Sequence, residues 1–190
     1  MQKILLAVTG ASGMLFLPPF IKLLAQHSDT HILHGICSQS GENVLQYEQN
    51  LRPQQLHGVS RWFGIDDFSA APSSGSSGYD AMVILPCTMG TLGAIASGLS
   101  RNLIHRAADV MLKERKKLIL AVRETPLGRT HLLNMLAVHD AGALIMPPMP
   151  GYYHRPTNLE EAALTYCWRL ADQLGVKIKD RKRWEGPENV

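Results

Sequence analysis

KLILAVRETPL, Lys117 to Leu127, is the stretch whose reading decides the fold. Its apolar run with β-branched members reads as a buried strand, and Pro126 ends the element. Arg123 and Glu124 sit directly at the carboxyl end of that strand. In an open parallel α/β sheet this is the edge where ligands bind. Two readings of the pair stand: a site that grips an anion and moves a proton, or an ion pair that caps a loop.

Working outward, comparable runs recur at Lys3 to Thr9, His31 to Cys37, Ala81 to Pro86 and Ala143 to Met146. Helix-length segments separate most of them: Phe16 to Ala25, Gly41 to Gln49, Leu92 to Lys116 and Thr130 to Asp140. This alternation predicts βαβ units and a mostly parallel sheet covered on both faces. A last helix is expected from Asn158 to Leu174, with Thr157 or Asn158 as N-cap and Glu160 and Glu161 where the helix dipole favours acids. Ser69 to Gly78, SAAPSSGSSG, is too small and polar to pack as an element. It reads as a loop, either mobile over a site or an ordinary linker.

A chain of 190 residues fits one domain, 1–190, large enough to bury its own core. The net charge of +3 is mild and scattered, which argues against nucleic acid as a partner and suits small anions. No run approaches the ~18 apolar residues that span a bilayer, and the opening residues do not read as a secretion signal. A soluble, cytoplasmic protein is expected. Cys37, Cys87 and Cys167 are odd in number and lack CxxC spacing, so they read as buried small hydrophobes. His31 and His34 fall on opposite faces of a strand, and HExxH is absent, so no metal is predicted.

After the first strand comes VTGASG, Val8 to Gly13, a strand-to-helix turn whose glycines and helix amides suit a phosphate. A dinucleotide fingerprint would add an acid about 20 positions on, at the end of the second strand, for a ribose. That strand ends instead in Cys37 and Ser38. None of the five tyrosines has a lysine four residues on, as a short-chain dehydrogenase would need. A mononucleotide such as FMN therefore fits better than NAD. The third strand of the sequence runs into PCTMGTLGAIASG, where amides near Thr88, Met89, Gly90 and Thr91 offer a second anion-binding turn, or a helix start made small for packing. Arg106 and Lys113 share a helix face about 10 Å apart. They line one anionic cleft with Arg123, or form a solvated basic face. In MPPMPGYYHRP, Met146 to Pro156, prolines hold Tyr152, Tyr153 and His154 rigidly, beside a pocket or as core plugs.

Together these segments resemble the flavin prenyltransferase family, the UbiX/Pad type within the flavin-containing cysteine-decarboxylase-like superfamily. The resemblance rests on VTGASG, APSSGSSGYDAMVILPCTMGTLGAIASG, NLIHRAADVMLKERKKLILAVRETPL, HLLNML, GALIMPPMPGYYHRP and the pair Arg183 and Trp184, in matching order and spacing. It implies a three-layer α/β/α, Rossmann-like (flavodoxin-like) fold in one FMN-binding flavoprotein domain, with residues 177–190 as a candidate lid. The implied reaction joins a dimethylallyl group from dimethylallyl phosphate to N5 and C6 of reduced FMN, without a metal, and delivers prenylated FMN to a UbiD-type decarboxylase. The implied FMN contacts are Gly10, Ala11, Ser12, Ser38, Thr88, Met89, Gly90, Thr91 and Arg123, with Ser12 close to the reactive edge. Arg106, Lys113, Arg123, Tyr153 and Arg169 would surround dimethylallyl phosphate, some of them from neighbouring subunits of a homo-oligomer that is dodecameric in the family. Glu124 would be the acid/base, and Trp184 would cover the allyl group with its π face.

The chain departs from the family pattern in two places. MLFLPPF follows the glycine turn, which predicts a first helix beginning at or after Pro18, and Gln39 and Ser40 replace a lysine-containing segment. Two other readings are carried: a flavin-dependent cysteine-type decarboxylase, which would want a histidine after Gly13 and a PxMNxxM segment, and a non-catalytic FMN-binding protein.

Overall fold

The computed structural model describes residues 1–27, 29–178, 181, 183, 184 and 186. Its centre is a six-stranded sheet formed by β1 (Gln2–Val8), β2 (His31–Cys37), β3 (Arg61–Phe63), β4 (Ala81–Cys87), β5 (Lys117–Val122) and β6 (Leu144–Ile145). All neighbours pair in parallel, in the order β3-β2-β1-β4-β5-β6. Five of these strands are the apolar runs of the sequence. β3 was not expected, because three residues on a sheet edge carry no periodicity. Without β3 the order of the remaining strands is that of flavodoxins; with it the order is that of the dinucleotide-binding sheets.

Among the described residues six helices cover the sheet: α1 (Leu17–Ala25), α2 (Gln39–Gln49), α3 (Met89–Ala96), α4 (Leu103–Lys113), α5 (Arg129–Asp140) and α6 (Leu159–Leu174). Alternate residues of a strand face opposite ways, so the sheet serves two cores. Ile4, Leu6 and Val8 of β1 pack with Phe20 and Leu24 of α1, Leu45 of α2 and Tyr166 and Leu170 of α6. Leu5 and Ala7 pack on the other face with Leu92 of α3 and Ile104 and Ala108 of α4. Strands buried on both faces read as continuous apolar runs, and the core of LILAV is fully enclosed.

Several boundaries differ from expectation. The single helix predicted over Leu92 to Lys116 is two, α3 and α4, separated at Gly98, whose φ of +68° suits glycine, and restarted by Asn102, whose Oδ1 accepts the His105 amide at 3.0 Å. SAAPSSGSSG carries two 3-10 turns, Ala71–Ser73 and Gly75–Ser77. Arg106 Nε donates to the Ser73 carbonyl at 3.0 Å and Lys3 Nζ to the Ser77 carbonyl at 3.0 Å, which fasten this segment to the body. α1 begins at Leu17 after a 3-10 turn, Met14–Phe16, so Pro18 and Pro19 lie in its first turn. Asn158, not Thr157, caps α6, accepting the Glu161 amide at 2.8 Å. Of the candidate lid, residues 179, 180, 182, 185 and 187–190 lie outside the described residues. No helix among the described residues is long and apolar enough to cross a membrane.

Candidate functional site

The strand order reverses between β1 and β4, and the crevice beyond their carboxyl ends is where such sheets bind ligands. Buried Thr9 ties its two walls together: its hydroxyl donates to the Pro86 carbonyl at 2.8 Å and accepts the Thr88 amide at 2.9 Å. Gly10 and Gly13 are each required for a separate reason. A Cβ on Gly10 would meet Ser40 Cβ at 2.5 Å, so the loop lies directly against the start of α2. Gly13 has φ of +113°, a conformation that L side chains rarely adopt. Ser38 caps α2 through its hydroxyl, which accepts the Gly41 amide at 3.0 Å. Thr88 does the same for α3, accepting the Thr91 amide at 3.1 Å. These caps leave the first amides of two helices, Gln39 and Ser40 on α2 and Met89 and Gly90 on α3, without intrahelical acceptors.

Glu48, near the end of α2, reaches back over the glycine turn. Its Oε2 accepts the Gly13 amide at 2.9 Å and the Met14 amide at 2.8 Å. Burial pushes its carboxyl upward, but hydrogen bonds from Ser12, Gly13 and Met14 and the charge of Arg123 outweigh that and leave it below the usual carboxylate range. Glu48 thus ties α2 to the glycine turn, with the charge of Arg123 acting on it from the end of β5. Arg123 extends from the end of β5, where its amide donates to the Cys87 carbonyl at 3.1 Å. Glu124 follows, exposed, its Oε1 accepting the Thr125 amide at 2.9 Å. No salt bridge joins Arg123 to Glu124 among the described residues, so the loop-capping ion pair is not what these residues form.

A second cavity, of about 310 Å³, lies along α6 and gathers Tyr153, Arg169, Arg181, Arg183 and Trp184. The proline-rich segment is held to α6 by the Tyr166 hydroxyl, which donates to the Met146 carbonyl at 2.7 Å, and by the Gly151 amide, which donates to Thr165 Oγ1 at 3.0 Å. Arg169, Arg181 and Arg183 line it together with Asp172, with which the first two are paired. Aromatic rings form its wall, with Trp184 packed edge-on against Tyr153 at 5.3 Å between centroids.

The family model described as Flavoprotein matches residues 1–157. Over 189 residues the chain is 40% identical to flavin prenyltransferase UbiX of Methanothermobacter thermautotrophicus, covering 98% of this chain and 97% of that one. The chain belongs to the UbiX-type flavin prenyltransferase family. Among solved structures, that of AnUbiX (PadA1) in complex with FMN and dimethylallyl pyrophosphate superposes with a TM-score of 0.91 at 38% identity, over 97% of this chain and 98% of that one. That of a dodecameric FMN-dependent UbiX-like decarboxylase from Escherichia coli O157:H7 gives 0.93 at 32% identity, over 97% and 100%.

For a UbiX-type chain the residues expected from the sequence divide into three groups. Gly10, Ala11, Ser12, Ser38, Thr88 to Thr91, Arg123 and Glu124 share the strand-end crevice, and Tyr153, Arg169 and Trp184 share the α6 cavity. Arg106 and Lys113 join neither group. They lie on α4, which packs on the sheet face opposite α6. Arg106 pairs with Asp109 at 2.7 Å, and Lys113, at the end of α4 that leads into the start of β5, pairs with Glu114. A single cleft shared with Arg123 therefore does not form within one protomer. Glu48 was missed: it stands ten residues beyond Ser38, and only the packing of α2 over the first turn brings it to Ser12.

The crevice fits a flavin mononucleotide. The Cβ-free loop allows close approach, two helix starts offer amides, and Arg123 supplies a cation. Cys37 and Cys87 at the strand ends are buried, their thiols pushed up to about 12 by desolvation, so they line the fold as neutral groups. The described residues contain no group of His, Cys, Asp and Glu arranged to hold a metal.

Proposed function

We propose that the strand-end crevice holds reduced FMN and that the residues around it carry out transfer of a dimethylallyl group from dimethylallyl phosphate. The observation that carries the assignment of roles is the anchoring of the glycine turn by Glu48 at the switch point of the sheet, with Arg123 and Glu124 at the neighbouring strand end. The flavin supplies N5 and C6, the two positions to which the C5 unit is joined. Ser38 and the first turn of α3 bind and orient it, while Glu48 holds the glycine turn that carries Ser12 through the Gly13 and Met14 amides. Glu124 moves the proton, with its carboxylate held at the strand end by the Thr125 amide.

Departure of phosphate from an allylic carbon needs cations at the leaving oxygens and a dry, π-rich wall at the carbon. Arg169 and Tyr153 meet the phosphate, Arg123 approaches it from the crevice, and Trp184 covers the allyl group. Lys113 and Arg106 complete the cationic shell from a neighbouring copy, since their own protomer directs them elsewhere. This reading requires a closed homo-oligomer, a dodecamer as in the Escherichia coli relative. The product, prenylated FMN, goes to a UbiD-type decarboxylase. Three free, buried cysteines suit the reducing cytoplasm as its place of work. A cysteine-type decarboxylase is not favoured, because Met14 stands where a histidine would follow Gly13.

Anaerobic incubation with reduced FMN and dimethylallyl phosphate, followed by mass spectrometry of the extracted flavin, tests the reading. A gain of one C5 unit is expected; unmodified flavin, with the diphosphate tried as well, would overturn it. Glu124→Gln is expected to retain FMN and slow prenylation by about 10²–10⁴-fold. Near-wild-type turnover would remove Glu124 from its role. Co-assembly of Lys113→Met with Glu124→Gln is expected to regain activity that neither has alone, and no recovery would place both groups in one protomer's site.

A further inference from the structure

The described part of the C-terminal segment is fastened at three successive points. Ile178 is buried in the α6 core. Arg181 follows, with a side chain only 3% exposed, an uncommon place for a guanidinium. Its Nη1 donates to the Trp168 carbonyl at 3.0 Å and to the Asp172 carboxylate, both on α6. Trp184 then packs on Tyr153, whose ring meets His154 at 4.1 Å, and His154 in turn meets Trp168 at 5.8 Å. Three residues of chain reach at most about 11 Å, so the seat of Arg181 limits where Trp184 can lie.

Asp172 has a second partner. Arg169 Nη1 donates to the same Oδ2 at 3.1 Å. One carboxylate is therefore shared between an exposed arginine that faces the anion cavity and a buried one from the tail. The two guanidinium groups compete for this one carboxylate. Without Arg181, Asp172 would hold Arg169 against α6 as its remaining cation.

We propose that Arg181 is a positioning residue: its buried pairing with Asp172 and the Trp168 carbonyl latches the tail to α6, setting Trp184 against Tyr153 and leaving Arg169 available to the anion. The inference rests on the prenyltransferase reading of this cavity, but part of its test does not.

In a Trp62→Phe, Trp168→Phe background, Trp184 is the remaining tryptophan and reports its own seat. Adding Arg181→Met is expected to red-shift its emission and raise its quenching by acrylamide, and Asp172→Asn is expected to do the same from the other side of the pair. Wild-type emission and quenching in both variants would overturn the latch. Kinetically, Arg181→Met is expected to lower kcat for prenyl transfer roughly tenfold to a hundredfold, the scale of a ~1 Å misplacement, and to raise KM for dimethylallyl phosphate, with FMN affinity unchanged. Arg181→Lys should recover part of both effects. The kcat loss should largely disappear when Arg181→Met is made in Trp184→Phe, and an undiminished loss there would show that Arg181 does not act through Trp184. Should the wild-type protein fail to prenylate FMN, the functional reading falls, while the fluorescence comparison still decides whether the latch exists.

Discussion

α5 and α6 are both rich in leucine, yet they dispose of it in opposite ways. α6 buries Ala163, Thr165, Tyr166, Cys167, Leu170, Ala171 and Leu174. α5, RTHLLNMLAVHD, buries Val138 alone, with Leu132, Leu133 and Leu136 exposed at 52%, 47% and 56% on one side of the helix. An apolar helix face left open in one chain marks a contact surface, whereas a closed one marks a core. The difference teaches that α6 closes the protomer's own core, while α5 keeps an apolar face open for contact. Arg106 and Lys113, on α4, likewise lie apart from the strand-end crevice of their own protomer.

The contrast can be broken most forcefully at Leu170. It is fully buried, so Leu170→Ala should destabilise the fold by about 2–5 kcal/mol, read from the urea midpoint. A shift no larger than that of an exposed site would deny α6 its place in the core. Paired Leu133→Asp and Leu136→Asp changes should leave the protomer's circular dichroism intact but shift the assembly to a lower mass in sedimentation, with prenylation lost. An unchanged mass would show that the α5 face is not a contact. The smallest effect sharpens the α6 side. Tyr166→Phe removes the donor to the Met146 carbonyl and should cost about 1 kcal/mol, while raising KM for dimethylallyl phosphate because the Tyr153 segment loosens. Unaltered stability would mean that water replaces that bond without loss.

Residues that act through local pattern were legible in the sequence. The long strands declare themselves as apolar runs, the VTGASG turn by its glycines, and the start of α6 by Asn158 and the two glutamates behind it. What escaped depends on contact between distant segments. β3 is a strand because Trp62 and its neighbours lie beside β2, and Trp62 sits where Gly35 has no side chain: a Cβ there would meet the indole at 2.4 Å. The serine-rich segment is ordered through its carbonyls, which accept from Arg106 and Lys3, and composition says nothing about carbonyls. Glu48 carries no motif. The break between α3 and α4, by contrast, was signalled by the Gly98 and Asn102 pair and overridden by the apolar periodicity on either side. The separation of Arg106 and Lys113 from the rest of the site follows from which sheet face α4 covers, a property of topology that helical spacing cannot express.

Glu48 has a further consequence for which nucleotides the protein accepts. In sheets of this order, the amides of the turn between the first strand and the first helix are the seat of a bridging pyrophosphate. Here Gly13 and Met14 already donate to a carboxylate of the same chain. A pyrophosphate seated at these amides would have to displace that carboxylate. The turn is occupied by the chain's own carboxylate, and that occupancy relaxes in acid: the anchoring of Glu48 is present above the ordinary carboxylate range and is lost as pH falls through its lowered pKa.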